Sequence, residues 1–300
     1  MSAIDPRAHR RAIALMVIAP ILWSVAGVVT RHLESAGRWE VTFWRSLFAA
    51  VFVAAVLLFT RGAKAWDAVR ATGGYGVLSG AMWSIMFIAF MLALMTTTTA
   101  NTLIVNSISP LITALLARAV LRDPIAPRTW AAIVLAMAGM LWMFGSGFAG
   151  GEPRHLAGML IALAVPLAAA VNFVTLKHAG RSVDLIPAVL LGAVFSAAIT
   201  LPFALPFTAS LHDIALLAML GCLQLGLPCM LMVRASPQLS APEISLLAML
   251  EVVLGPLWAW LGAGEAPALA TLAGGALVIA ALLVNELAAM GLRAHARRSA

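Results

Sequence analysis

The chain has little charge. Only 10% of its 300 residues are Asp, Glu, Lys or Arg, against about 25% in an ordinary soluble domain. Hydrophobic residues make up 63%, and the mean hydropathy is +1.01. Apolar runs of about 18 to 24 residues recur from end to end, each long enough to cross a hydrocarbon core about 30 Å thick. This composition excludes a soluble globular domain and predicts a multi-pass membrane protein.

Motifs for catalysis and energy coupling are missing as well. The chain has no H-E-x-x-H pair, no G-x-S-x-G sequence and no ATP-binding motif. One match to a dinucleotide pattern, Gly145-x-Gly147-x-x-Gly150, follows a membrane span instead of a strand, and therefore predicts a loop. Two cysteines, Cys222 and Cys229, lie seven positions apart in one apolar run, a spacing that excludes an ordinary disulfide. We expect no enzyme, no cofactor and no bound metal.

Ten apolar runs mark candidate membrane spans, at residues 12–30, 39–60, 73–94, 99–118, 129–147, 156–176, 185–207, 213–233, 242–262 and 267–290. With the N-terminus inside, 15 of the 19 Lys and Arg residues fall in inner segments. The outer segments hold only Arg31, Arg38 and Arg154, and Arg45 lies within span 2. By the positive-inside rule, both termini should be cytoplasmic. The net charge of +7 then reflects topology, so we expect no nucleic-acid partner.

The two halves of the chain resemble each other weakly. At an offset of 142, "RDPIAPRTWA" falls on "GEAPALATLA"; at an offset of 146, Pro20 falls on Pro166 and Arg31 on Lys177. The order of the matches predicts two five-span repeats, residues 1–150 and 151–300. Because five is odd, the second repeat must be inverted in the membrane. Inverted repeats are typical of alternating-access carriers, which hold substrate near the bilayer midplane.

Two connections between spans are very short. "LMTTTTANTL" joins spans 3 and 4, and "RASPQLSAPEIS" joins spans 8 and 9. Thr and Ser can cap the next helix and satisfy freed backbone groups. The pattern predicts two helical hairpins, one at each membrane face, that move as units. Ordinary tight turns without a gating role are the alternative.

The order of motifs resembles a known family over essentially the whole chain. An arginine early in span 2 ("FWRSLFAA") precedes a span with a central proline ("ANTLIVNSISPLITALL"), and each half then has an acid before a glycine-rich span. This is similar to the EamA branch of the drug/metabolite transporter superfamily, and most of all to bacterial YddG-type exporters of aromatic amino acids. The resemblance implies ten helices in two inverted repeats around a central cavity. One departure is Val252 after Glu251, where the family usually has proline; here proline is delayed to Pro256.

Arg45 and Glu251 are the charges that lie deepest in the spans. Arg45 is about six residues from the outer end of span 2, roughly 9 Å deep. It could hold a substrate carboxylate through a two-pronged hydrogen bond, or it could be structural, snorkelling to the interface or pairing with Glu40. A carboxylate as deep as Glu251 should be protonated or face water. It could carry a coupling proton, attract a substrate ammonium or form a hydrogen bond with a neighbouring helix.

Amides, aromatic residues and prolines complete the candidate site. Amides are costly in lipid, so they should face the cavity or a neighbouring helix. Tryptophans at mid-span, with a methionine, could form an apolar wall or simply pack in the core. The predicted substrate-binding set is Trp23, Arg45, Trp83, Met86, Asn101, Asn106, Asn172, Gln224 and Glu251. Prolines weaken helices locally, and the predicted hinges are Pro20, Pro110, Pro166, Pro228 and Pro256.

These observations predict a secondary transporter that exports amino acids, aromatic and other neutral ones, by alternating access. A multidrug or other small-metabolite exporter of the same fold is the alternative. We expect a bacterial inner-membrane location, a small-molecule substrate, lipid as the surroundings and a monomer. The sequence leaves open the direction of flux, and whether it is proton-coupled or facilitated.

Overall fold

A computed structural model describes residues 6–97, 99–122, 125–144, 153–179, 182–263 and 273–281, and the single positions 269 and 284. Every regular element in these ranges is helical, as predicted. The α-helices are α1 (Pro6–Trp23), α2 (Ala26–Thr30), α3 (Arg38–Arg61), α4 (Ala65–Ala71), α5 (Gly73–Thr96), α6 (Thr99–Asn106), α7 (Ser109–Leu121), α8 (Pro127–Phe144), α9 (Pro153–Ala179), α10 (Ile186–Ala204), α11 (Leu211–Met219), α12 (Leu227–Ala235), α13 (Ala241–Ala248) and α14 (Leu250–Ala263). A π-helical segment, Leu220–Gly226, joins α11 to α12.

Within the described ranges, six stretches are long and apolar enough to cross a membrane: Arg7–Thr30, Arg38–Ala71, Gly73–Thr96, Ala157–Ala179, Ile186–Ala204 and Leu211–Gln238. α7 is apolar but shorter. Large apolar side chains lie on the outside of these helices, among them Phe59, 94% exposed, and Leu211, 86% exposed. Such a surface suits lipid, because apolar area is costly in water. The protein is a multi-pass membrane protein, and the count of ten spans stays a prediction.

Several of the predicted spans are interrupted near their middles. α1 ends at Trp23 before α2, α6 ends at Asn106 before α7, and α13 ends before Met249. Proline explains the break between α6 and α7 and the π-helical segment before α12. It has no N–H group to donate a hydrogen bond to the carbonyl four residues earlier. Pro110 removes the partner of the Asn106 carbonyl, and Pro228 follows the π-helical segment. Each break places backbone polar groups at membrane depth, where they need protein or water partners.

Helices from the two predicted repeats pack on each other. α3 lies along α10, α5 along α9, and α7 against α13. Two serine pairs bridge these contacts: Ser46 Oγ to Ser196 Oγ at 2.8 Å, and Ser109 Oγ to Ser245 Oγ at 3.1 Å. In each pair the partners come from corresponding spans of the two halves, 2 with 7 and 4 with 9. The division into repeats stays a prediction.

Two loops predicted on the outer face are tied together by a pair of buried acids. Glu40 accepts hydrogen bonds from the Thr208 and Ala209 backbone N–H groups, both at 2.9 Å. Asp213, at the start of α11, caps its own helix with Ser210 in a capping box. It also accepts from the loop before α3, through the backbone N–H groups of Glu34, Ser35 and Ala36 at 2.8–3.0 Å. The carboxylate in the first turn of α3 thus accepts hydrogen bonds from the loop before α11, and the carboxylate in the first turn of α11 accepts them from the loop before α3.

The opposite end is closed by the turn between α12 and α13, residues 236–240, which we call the inner turn. Lys177 Nζ donates to the Leu239 carbonyl at 2.8 Å and to the Pro237 carbonyl at 3.4 Å, and His9 Nδ1 donates to the Gln238 carbonyl at 3.1 Å. Beneath it lies an apolar cluster whose fully buried members include Met16, Leu176, Met232, Leu239 and Ile244. Apolar side chains therefore fill the space beneath the inner turn.

Candidate functional site

The interrupted helices surround a cavity of about 110 Å³. Its wall is built from α1, α3, α5, α9, the π-helical segment, α12 and the residues around the breaks between α6 and α7 and between α13 and α14. The lining is mostly apolar, with a few polar side chains among aromatic and small residues. A concave apolar site with few, well-placed polar groups is the usual form of a small-molecule site.

Arg45 reaches the cavity from α3 and is only 1% exposed. Its Nη2 donates to the Phe87 carbonyl at 3.0 Å, and its Nη1 lies 3.4 Å from Gln224 Oε1. Its Nε has no hydrogen-bond partner in the described part of the chain. Pairing of Arg45 with Glu40, one predicted alternative, is wrong, because loop amides and Trp44 Nε1 occupy the Glu40 oxygens. A guanidinium has five N–H donors, so Arg45 keeps donors for a ligand.

Gln224 orients Arg45 through a chain of hydrogen bonds. It lies in the π-helical segment, and its Nε2 donates to the Trp23 carbonyl at 3.1 Å. That carbonyl lies at the end of α1, where the helix is interrupted. Since Nε2 is the donor, Oε1 is left to accept from Arg45. The sequence predicted both residues for one cavity, but not this connection, because the partners are about 180 positions apart in the chain.

Acceptors face the cavity from other helices. Glu251 lies in the first turn of α14, directly after the break at Met249, and Asn106 is the last residue of α6. Asn106 Oδ1 is buried and has no hydrogen-bond partner among the described residues. Within those residues, Arg45 and Glu251 line the same cavity without forming an ion pair. The cavity therefore has a donor on α3 and acceptors on α6 and α14.

An aromatic wall completes the cavity. One face of α5 supplies Trp83, Met86, Phe87 and Phe90, which follow the helical i, i+3, i+4, i+7 spacing. The Trp83 and Phe87 ring centroids are 5.5 Å apart. Trp83 is 1% exposed, and its buried Nε1 has no partner among the described residues, although a buried indole N–H usually has one.

Seven of the nine predicted substrate-binding residues line this one cavity: Trp23, Arg45, Trp83, Met86, Asn106, Gln224 and Glu251. Asn172 does not, because it faces α5, where its Oδ1 accepts from Ser79 Oγ at 2.7 Å. The side chain of Asn101 lies outside the described residues. Sequence reasoning missed Phe87, Phe90, Phe173, Ser109 and Ser245, which also line the cavity. Helical spacing from Trp83 could have found the first two.

The predicted hinge prolines fall in three kinds of place. Pro110 and Pro228 stand directly after helix irregularities, and Pro20 stands three residues before the end of α1. Pro166 lies inside α9, which continues unbroken, and it lines the cavity. Pro256 lies within α14, seven residues after the break at Met249. Their role as hinges stays a prediction.

Comparisons with known proteins agree with the geometry. The model of the EamA-like transporter family matches residues 10–145 and 156–286. A solved crystal structure superposes with a TM-score of 0.78 and 19% identity, over 93% of this chain and 98% of its own. At that identity the likeness concerns the fold alone. A search of curated proteins finds no significant match.

Proposed function

The chain belongs to the EamA-like transporter family, and from this premise we propose that it exports amino acids, aromatic and other neutral ones, by alternating access. The family makes it a membrane transporter of the drug/metabolite type. The substrate class, the YddG-type specificity and the direction of transport are our proposals.

One observation carries the substrate proposal: the cavity combines an arginine, a glutamate and an aromatic wall. The carboxylate of an amino acid would accept from Arg45, whose planar guanidinium matches it in a two-pronged geometry. Its ammonium would face Glu251 and Asn106 Oδ1, which has no hydrogen-bond partner among the described residues. An apolar or aromatic side chain would pack on Trp23 and the α5 face. A zwitterion with an apolar side chain is complementary to all three.

The size of the cavity favours a small metabolite over a multidrug substrate. Sites for drug-sized ligands typically enclose about 300–1,000 Å³, whereas this cavity encloses about 110 Å³. An organic cation would find an acid and aromatic rings here, but it would place its charge beside Arg45. Like charges in a site of low dielectric repel strongly, so the arginine disfavours cationic drugs.

Alternating access is supported by the state of the inner turn. Lys177 and His9 donate hydrogen bonds to its carbonyls, and the apolar side chains Met16, Leu176, Met232, Leu239 and Ile244 beneath it are fully buried. Arg31 lies at the outer end of the α1–α2 span, and the internal offset of 146 makes it the equivalent of Lys177 in the predicted repeat. We therefore propose that Arg31 donates in the same way to carbonyls of the outer turn, between α5 and α6, when the outer side closes. Ten spans in two inverted halves, 1–150 and 151–300, complete this proposal.

The test is flux into and out of proteoliposomes that contain the purified protein. Vesicles are loaded with radiolabelled phenylalanine, leucine or threonine, or with an organic-cation dye, with and without a pH gradient. We expect amino-acid flux well above that of empty liposomes. Dye movement without amino-acid flux would contradict the substrate proposal and support the multidrug alternative. A response to the pH gradient would separate proton coupling from facilitated exchange.

A further inference from the structure

We propose that a second site, at the N-terminal end of α1, binds the phosphate of an anionic phospholipid. The site is a surface groove between α1 and the end of α12, which we call the arginine groove. It encloses about 360 Å³ and is lined by Arg7, Ala8, Arg11, Ala12, Leu15, Arg234 and Gln238. It lies apart from the central cavity and shares no lining residue with it.

Three arginines from two different helices line this groove. Arg7 and Arg11 are one turn apart on the same face of α1, and Arg234 stands in the last turn of α12, which packs on α1. Among the described residues, the lining contains no acidic side chain. Arg11 and Arg234 are both exposed, and like charges on one concave surface repel each other. A bound anion with several oxygens would relieve that repulsion and accept from more than one arginine.

The groove changes from charged to apolar along α1, and this change indicates a lipid. Leu15 follows Arg11 by one turn and lines the same groove. One turn further along, Ile18 is 45% exposed on the outside of the helix. A phospholipid has this sequence of chemistry, with phosphate at the interface and acyl chain along the span. Basic pockets between helices on the cytoplasmic side suit anionic headgroups, and the cytoplasm is where charge asymmetry predicts this end to be.

A lipid in the groove would also bear on transport, since the groove borders the inner turn. Gln238 lines the groove, and its backbone carbonyl accepts from His9 Nδ1. A phosphate that bridges Arg11 and Arg234 would hold α1 against α12 at this closed end. Anionic lipid should therefore favour the conformation with the inner turn closed.

The test compares the purified full-length chain in dioleoyl phosphatidylglycerol with the same chain in dioleoyl phosphatidylcholine. Native mass spectrometry counts retained lipids, and thermal unfolding measures the added stability. We expect phosphatidylglycerol to be retained and to raise Tm above its value in phosphatidylcholine. The double variant R11Q/R234Q should bind phosphatidylglycerol about 25-fold more weakly, because each basic residue near an anionic lipid contributes a factor of about five.

Two further variants separate the groove from general basicity and from misfolding. Arg10→Gln removes a charge from the same turn of α1 but outside the groove, and should keep full binding. R11K/R234K keeps the charges and should keep most of the binding. Equal stability in both lipids, or an equal loss in Arg10→Gln, would overturn the proposal. Inorganic phosphate that protects as well as phosphatidylglycerol would also overturn it, and would make the groove a site for a soluble anion.

Discussion

At the scale of single residues, Arg45 is buried, held by two contacts, and still has an Nε–H without a partner in the described chain. We predict that Arg45→Lys raises KM for phenylalanine about 10- to 100-fold, because hydrogen bonds to charged groups contribute about 1.5–3 kcal/mol and lysine lacks the fork. The measurement is concentration-dependent flux in proteoliposomes. The control is Arg61→Lys on the same helix, whose side chain pairs with Asp184 away from the cavity.

A purely structural Arg45 is distinguished by substrate chemistry. Phenylalaninamide keeps the ammonium but lacks the carboxylate. If Arg45 holds the carboxylate, Arg45→Gln should reduce phenylalanine flux strongly and leave any amide flux nearly unchanged. An equal reduction for both compounds, together with a lower Tm, would assign Arg45 to structure alone.

The prediction for Glu251 concerns the ammonium group of the substrate instead of its carboxylate. Glu251→Gln preserves the shape of the side chain and removes its charge, so it should weaken phenylalanine transport and spare N-acetylphenylalanine, which has no ammonium. Competition between the two compounds for radiolabelled uptake is the measurement. If Glu251→Gln reduces transport of N-acetylphenylalanine more than transport of phenylalanine, an ammonium site at Glu251 is contradicted.

At the scale of elements, the π-helical segment approaches α3 so closely that only glycine fits. A Cβ on Gly221 would lie 2.5 Å from the Arg45 carbonyl oxygen and 2.9 Å from the Ala49 nitrogen. Gly221→Ala should therefore cost about 1–3 kcal/mol through overpacking and displace Arg45. We expect both Tm and flux to fall. Gly27→Ala, where a Cβ would meet nothing within 4 Å, is the matched control and should change neither.

The inner turn gives the second prediction at this scale. Lys177→Met removes the donor to the Pro237 and Leu239 carbonyls, so the turn should open more often. In a background without native cysteines, Gln238→Cys should then react several-fold faster with an impermeant maleimide. Lys64→Met, on the same predicted face, should have no effect. An unchanged rate in Lys177→Met would show that the apolar cluster alone closes this end.

At the scale of the whole molecule, the loops meet in pairs that the charge asymmetry assigns to the same face. Arg61 pairs with Asp184 on the predicted inner face, and Glu40 joins the loop before α11 on the predicted outer face. We predict that cysteines at the exposed positions Lys64 and His212 react with impermeant reagent from opposite sides. In intact cells only His212→Cys should be labelled. Labelling of Lys64→Cys instead would show that the predicted topology is the wrong way round.

The sequence by itself determined the membrane class, the helical architecture and the family resemblance. Transfer of a segment into lipid depends on its own composition and charge, so no tertiary contact was needed for those conclusions. Proline likewise marked the breaks near Asn106 and Gln224, because the loss of an N–H is a local property. The break at Met249 carried no such signal, and Pro256 was predicted as the hinge in its place.

Only the tertiary structure decided which polar side chains share a cavity. The rotation of a helix about its axis is set by what packs around it, and all faces of these spans are apolar enough to be buried. Packing turned Asn172 towards Ser79 and placed Gln224 between Arg45 and the end of α1. The arginine groove depends on packing in the same way, since Arg11 and Arg234 become neighbours only when α12 lies against α1.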